Sequence, residues 1–210
     1  MAKPDDLYEA ALFAIVVRAA EQAGGGVLLT NDGRKPATDI RFRTAPGILA
    51  AGTEYTYALV TFPSTDQRYE QKLEVHLGIV FPGRSGVCHE CDIAILTHAE
   101  ARRVRLGHRR YPSWRALILG IEAKFRVRGP ELGEGRNLLG LGSELRSGRH
   151  RLVTPAKGSA GLRKLLLHWG CGLSEDLIPG SSEAVELEAE VQAVLHDWLS
   201  RRRRRVPAAV

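Results

Sequence analysis

Cysteine is scarce in this chain: three in 210 residues, and an odd number. A disulfide-stapled secreted scaffold is therefore not expected, and the usage points to a reducing compartment. No run of about eighteen uninterrupted apolar residues occurs, so no membrane-spanning helix is expected. Residues 1–6 are polar, and the first apolar run, residues 10–20, carries Arg18 and lacks a cleavage-like end. No leader peptide is read there, and the expected localisation is cytoplasmic. Aromatic residues are also few, at 6%, but a hydrophobic fraction of 44% still supplies an ordinary core. Acidic charge is in deficit: 24 Asp and Glu stand against 30 Lys and Arg, a net charge of +6 with a pI near 9.5. A basic balance favours polyanionic partners bound through phosphate contacts. The length fits one domain over residues 1–200, with residues 201–210 as a basic disordered tail that begins with five consecutive arginines.

Against this background two apolar runs are interrupted by charge. His89-Glu90-Cys91-Asp92-Ile93-Ala94-Ile95-Leu96 reads as a buried strand carrying an acid, and residues 116–125 read likewise until Glu122-Ala123-Lys124. Side chains alternate along a strand, so Glu122 and Lys124 project from one face. Ionisable groups in the middle of a sheet are costly unless paired, hydrogen-bonded or bound to a metal. Two acids and a lysine converging there suit a hard divalent cation with a positive group beside it. The bland alternative is a half-buried Asp92–Lys124 salt bridge with Glu122 exposed.

An Asp strand followed by an E-x-K strand resembles the PD-(D/E)XK nuclease superfamily. The resemblance runs from the first helix to Phe125, through residues 73–81, 89–96 and 117–125. It implies an α/β fold with a restriction endonuclease-like core, a central mixed β-sheet flanked by helices. It also implies a Mg²⁺-dependent (or Mn²⁺-dependent) endonuclease that hydrolyses phosphodiester bonds, with DNA as the expected partner and a homodimer if both strands are cut. Carried over, Asp92 and Glu122 are metal ligands, and Lys124 polarises the scissile phosphate or orients the attacking water. Mg²⁺ takes oxygen ligands and keeps several waters, so two carboxylates and phosphate oxygens suffice. Cys91 stands where the family's literal motif has proline, and the thirty positions between Asp92 and Glu122 require an insertion. The family's additional acid from the first helix falls on Glu9, with Glu21 as the alternative. A non-catalytic nucleic-acid-binding module on the same fold is the competing function.

Elsewhere the reading is coarser. Residues 5–23 form a helix closed by Gly24-Gly25-Gly26, and residues 27–30, 39–43, 55–62 and 69–81 are strand candidates. Glu74 either joins the metal site or forms a cross-strand ion pair. The insertion, residues 97–115, reads as a basic loop with Arg102, Arg103, Arg105, Arg109, Arg110 and Arg115 against the single acid Glu100. With Arg126, most of these are expected to contact nucleic-acid phosphates. Tyr111 and Trp114 either stack on bases or anchor the loop. Residues 131–145, 160–168 and 183–199 are helices, and residues 150–154 a strand. Cys88, Cys91, His168 and Cys171 have zinc-ligand chemistry, but cysteines three apart on a strand face opposite ways, so buried thiols are the favoured reading.

Overall fold

Seven strands form one sheet whose spatial order follows the chain. The computed structural model describes residues 3–49, 55–63, 71–145 and 149–203. Strands β1 (Gly26–Thr30), β2 (Tyr57–Phe62), β3 (Gln71–Pro82), β4 (Cys88–Thr97) and β5 (Leu117–Ala123) are mutually antiparallel. Strands β6 (His150–Val153) and β7 (Gly172–Ser174) continue the sheet in parallel. Parallel neighbours need crossover connections, and these are made through helices α3 (Leu132–Leu145) and α4 (Ala160–His168). Helix α1 (Pro4–Gln22) precedes the sheet, α2 (His98–Arg105) joins β4 to β5, and α5 (Ser182–Arg203) follows β7. The result is an α/β fold with a mixed sheet and flanking helices, as the sequence leads one to expect.

Local chemistry sets the element ends. Pro4 opens α1, where a missing N–H costs nothing, and the Lys3 N–H donates to the Asp6 carboxylate at 3.0 Å. The chain leaves that helix through Gly24 at φ +89°, a left-handed conformation natural to glycine. Between β3 and β4 the Gly86 N–H donates to the Gly83 carbonyl at 3.0 Å, closing a tight hairpin turn over Gly83-Arg84-Ser85-Gly86.

Burial divides the helices between two faces. Leu12, Val16 and Ala19 of α1 and Leu187, Val191 and Leu195 of α5 pack on a sheet face made by Leu73, Val75, Leu77, Ile93, Ile95 and Ile121. On the opposite face Ala101 and Val104 of α2 and Leu141 and Leu145 of α3 cover Ile79, Phe81, Ala94 and Leu96. A smaller cluster, Leu138, Leu152, Leu162 and Leu166, joins α3, β6 and α4.

Strands β3 and β4 change faces midway. Leu77 belongs to the first core and Ile79 to the second, although alternation would put them together. Ile93 and Cys91 divide in the same way. The pairs Leu77↔Ile93 and Ile79↔Cys91 flank this point, leaving Gly78 and Asp92 between them. Gly78 adopts φ +59°, and a Cβ there would lie 3.2 Å from the Ala45 carbonyl oxygen. Asp92 thus stands where the sheet is locally irregular, a setting that can aim a polar side chain out of the stack.

Several expectations are corrected. Residues 97–115 are not a plain basic loop: α2 occupies His98–Arg105, and a 3-10 turn follows at Trp114–Ala116. Residues 39–43 form no strand. Helix α5 continues through Arg203, so the tail does not begin at 201; residues 204–210 lie outside the described residues, as do 69 and 70 of the β3 candidate. Strand β7 went unread. Among the described residues no helix is long and apolar enough to cross a membrane.

Candidate active site

Strands β4 and β5 run antiparallel with Ile93 opposite Ile121, so one further step brings Asp92 level with Glu122. The Ala123 N–H donates to Asp92 Oδ2 at 2.7 Å, tying the acid to the neighbouring strand. Lys124 Nζ lies 3.5 Å from Glu122 Oε2 and 3.7 Å from Asp92 Oδ2. Its own backbone N–H donates to the Val153 carbonyl at 2.9 Å, which extends the parallel pairing with β6 and fixes where the lysine leaves the sheet. The three motif residues therefore converge. The simpler alternative of one salt bridge beside an exposed glutamate does not describe them: Lys124 spans both acids, and the Glu122 side chain is only 20% exposed.

The electrostatics are those of crowded carboxylates. Burial, with the Asp92 charge next, pushes the Glu122 carboxyl up to about 7, and Lys124 offsets part of this. Glu9 of α1 is likewise raised to about 7, first by burial and then by Asp92, Glu90 and Asp6. Burial and the Asp92 charge raise Glu90 as well. Burial alone would lower Lys124, but the Asp92 and Glu122 charges outweigh it and hold its ammonium above the ordinary value. Glu9, Glu90, Asp92 and Glu122 thus share a negative field that Lys124 only partly balances.

Glu9 lies within electrostatic reach of this group, whereas Glu21 is exposed about 18 Å further along α1, at 1.5 Å per residue. Glu90 escaped the sequence reading. Its signal was its place two residues before Asp92 on the same strand, the same spacing that links Glu122 to Lys124.

Beside these residues opens a cleft of about 730 Å³. Glu90, Glu122 and Lys124 line it from the strands, and Arg136, Asn137 and Gly140 from α3.

Glu74 does not belong to this site. It lies four residues from Gly78, roughly 13 Å along β3, and is fully buried. Its carboxylate contacts His76 Nε2 at 2.7 Å and His98 Nδ1 at 2.6 Å, and accepts a hydrogen bond from Arg105 Nη1 at 2.8 Å. Burial alone would raise its pKa, but these partners hold it well below the usual carboxylate range. This is a buried ionic cluster that fastens α2 to the sheet.

Arg105, expected on the phosphate-binding surface, is turned inward onto Glu74 instead. The remaining arginines of the insertion do stay at the surface. Arg102 is exposed, Arg110 lies over the Tyr111 ring at 5.2 Å, and Arg103 and Arg109 flank buried Glu100 at 3.7 and 3.3 Å. Arg126 pairs with Glu134 at 2.8 Å. None of these five lines the cleft. Helix α2 begins six residues beyond Asp92, about 20 Å along β4. Trp114 packs against the second core, which favours anchoring over base stacking.

The zinc reading gains nothing: Cys88 is exposed, Cys91 buried and Cys171 half-buried. Among the described residues no group of three or more His, Cys, Asp or Glu forms a ready-made metal cage. Two carboxylates with room for water are nonetheless a donor set that Mg²⁺ accepts. The surplus of negative charge around Asp92 and Glu122 is what a divalent cation would neutralise.

Neither a family model nor a curated protein matches the chain. Among solved structures it is similar to the crystal structure of a protein of unknown function, AF1548, at a TM-score of 0.39 and 17% identity. That match spans 58% of this chain and 58% of the other.

Proposed function

We propose that this chain is a metal-dependent endonuclease of the PD-(D/E)XK type that hydrolyses phosphodiester bonds of DNA. What carries the reading is the convergence of Asp92, Glu122 and Lys124 beside an open cleft, with the Glu122 carboxyl raised by burial and by the Asp92 charge. Asp92 and Glu122 would hold Mg²⁺ or Mn²⁺. When bound, such an ion acidifies a coordinated water and neutralises charge building on the phosphate.

The chain's own residues divide the remaining tasks. The Ala123 N–H fixes one Asp92 oxygen and leaves the other free to coordinate. Lys124, between both acids, can donate to a non-bridging phosphate oxygen, where negative charge grows in the transition state. Glu9 and Glu90 add negative potential that favours cation capture. Arg102, Arg103, Arg109 and Arg110 would contact phosphates several nucleotides from the cut, since a strand carries one phosphate per 3.4 Å or so.

The test is cleavage of plasmid and single-stranded DNA with Mg²⁺ or Mn²⁺, comparing wild type with Asp92→Ala and Lys124→Ala. Metal-dependent cutting should fall by about 10²-fold or more in each variant. A gel shift by wild type without cutting, unchanged in the variants, would instead identify a binding module.

A further inference from the structure

The cleft has a second wall that the motif does not account for. On α3 the side facing it carries Arg136, Asn137, Gly140 and Ser143, which recur at the three- and four-residue spacing of one helical face. Arg136 and Asn137 are exposed, and neither is held by a hydrogen bond or ion pair within the described residues. The acids of the same wall are engaged elsewhere: Glu134 with Arg126 and Glu144 with Ser85. Lys124, held between Asp92 and Glu122, is assigned to the scissile phosphate. Among the described lining residues Arg136 is the guanidinium that remains for a neighbouring phosphate.

Gly140 reinforces the point. Glycine is the poorest helix former after proline, and α3 contains four. Gly135 faces α4, where a Cβ would sit 2.6 Å from Leu162 Cδ1 and press on the leucine side chains there. At Gly140, as at Gly133, a Cβ would meet nothing within 4 Å, so internal packing gives no reason for its bareness; of the two, Gly140 lines the cleft. A missing side chain beside the cleft lets a ligand lie directly against the helix backbone.

We propose that this face of α3 is the substrate-positioning wall of the cleft. It seats the sugar-phosphate backbone of one nucleic-acid strand, with Arg136 gripping a phosphate adjacent to the scissile one and Asn137 hydrogen-bonding the sugar or base edge. The proposal rests on the nuclease reading above. An approaching phosphate meets the field of four carboxylates, and a guanidinium across the cleft offsets that repulsion with a planar, bidentate grip. Arg136 contacts substrate away from the reacting atoms, so it governs binding more than the chemical step.

The experiment uses the full chain with a labelled oligonucleotide. Affinity is measured across a salt series, kcat and KM of Mg²⁺-dependent cleavage are determined, and thermal melts run in parallel. Arg136→Ala should raise Kd and KM about tenfold at unchanged kcat and make the salt dependence shallower by about one phosphate contact. Gly140→Leu should weaken binding at least tenfold while melting at or above the wild-type temperature, a combination that a folding defect does not produce. Wild-type binding and cleavage in both variants would overturn the wall and leave the nuclease reading standing. Wild type that binds but does not cut would remove the nuclease reading, and the binding arm would still decide the wall. Absence of both binding and cutting in wild type would overturn both.

Discussion

Asp92 Oδ2 accepts the Ala123 N–H at 2.7 Å, so the acid of β4 also acts as a bond between the two motif strands. A substitution that removes charge but keeps an acceptor separates these roles. In Asp92→Asn the side-chain carbonyl can still receive the Ala123 N–H, and relief of repulsion on Glu122 offsets the weaker hydrogen bond. Its stability should stay within about 1 kcal/mol of wild type, whereas Asp92→Ala leaves a backbone donor without its partner and costs about 1–3 kcal/mol. Both should lose metal-dependent cleavage. Chemical denaturation beside cleavage assays reads the two effects independently.

Arg105 and Arg102 are three residues apart on one helix and should respond in opposite ways to truncation. Arg105 closes the buried charge of Glu74, and removing one partner of such a pair typically costs about 3–5 kcal/mol. His76 and His98 remain on Glu74, so Arg105→Ala should fall near the lower end, about 3 kcal/mol. Arg102 is exposed, and Arg102→Ala should change stability by less than about 0.5 kcal/mol while reducing DNA affinity. Urea midpoints and salt-dependent binding distinguish the two; equal stability losses would deny Glu74 its need for Arg105.

The same helix marks how far the sequence could be read. Ala101, Val104 and Arg105 lie at i, i+3 and i+4, the inward face of a single short helix. Two apolar residues amid arginines give too weak a period to announce it, so Arg105 was indistinguishable from its exposed neighbours. Strand β7, at three residues, is too short to carry an alternation. The motif strands were legible because charge breaks a long apolar run, and the cost of burying charge makes such a break informative. Glu90 obeyed the same rule but stood near the start of its run, where an exposed acid is equally natural. The fastening of Glu74 to α2 depends on tertiary contact, which no local pattern contains.

His150 gives the fold a dependence on acid. It is 3% exposed, and among the described residues neither ring nitrogen has a hydrogen-bond partner. Burial lowers its pKa to about 4, against about 6.5 in an unfolded chain. Between those values the unfolded chain binds the proton and the folded one does not, so stability rises with pH through this window. The contribution is intact above about pH 6.5 and falls by roughly 3 kcal/mol as pH drops to 4. Between pH 7.5 and 4 the stability of His150→Leu relative to wild type should shift in the variant's favour by roughly 3 kcal/mol, the variant showing the flatter denaturation profile. Parallel profiles would mean that His150 already finds a partner in solution.

Metal binding at Asp92 and Glu122 should carry its own pH dependence. With Glu122 and Glu9 both near 7, folding raises these carboxyls above their unfolded values. The folded state then holds the extra protons, and stability is lost as pH rises from the ordinary carboxylate range through about 7. A divalent ion reverses this by binding the deprotonated form, and at low pH it must first displace a proton. Mg²⁺ or Mn²⁺ should therefore raise the melting temperature clearly at pH 8 and little at pH 5.5. At a hundred times Kd the stabilisation would be about 2.7 kcal/mol. Glu122→Gln should remove the metal response at both pH values and raise the apo melting temperature at pH 8, because a buried, repelled carboxylate has been neutralised. A metal-induced shift in Glu122→Gln equal to that of wild type would place the ion elsewhere and take Glu122 out of the ligand set.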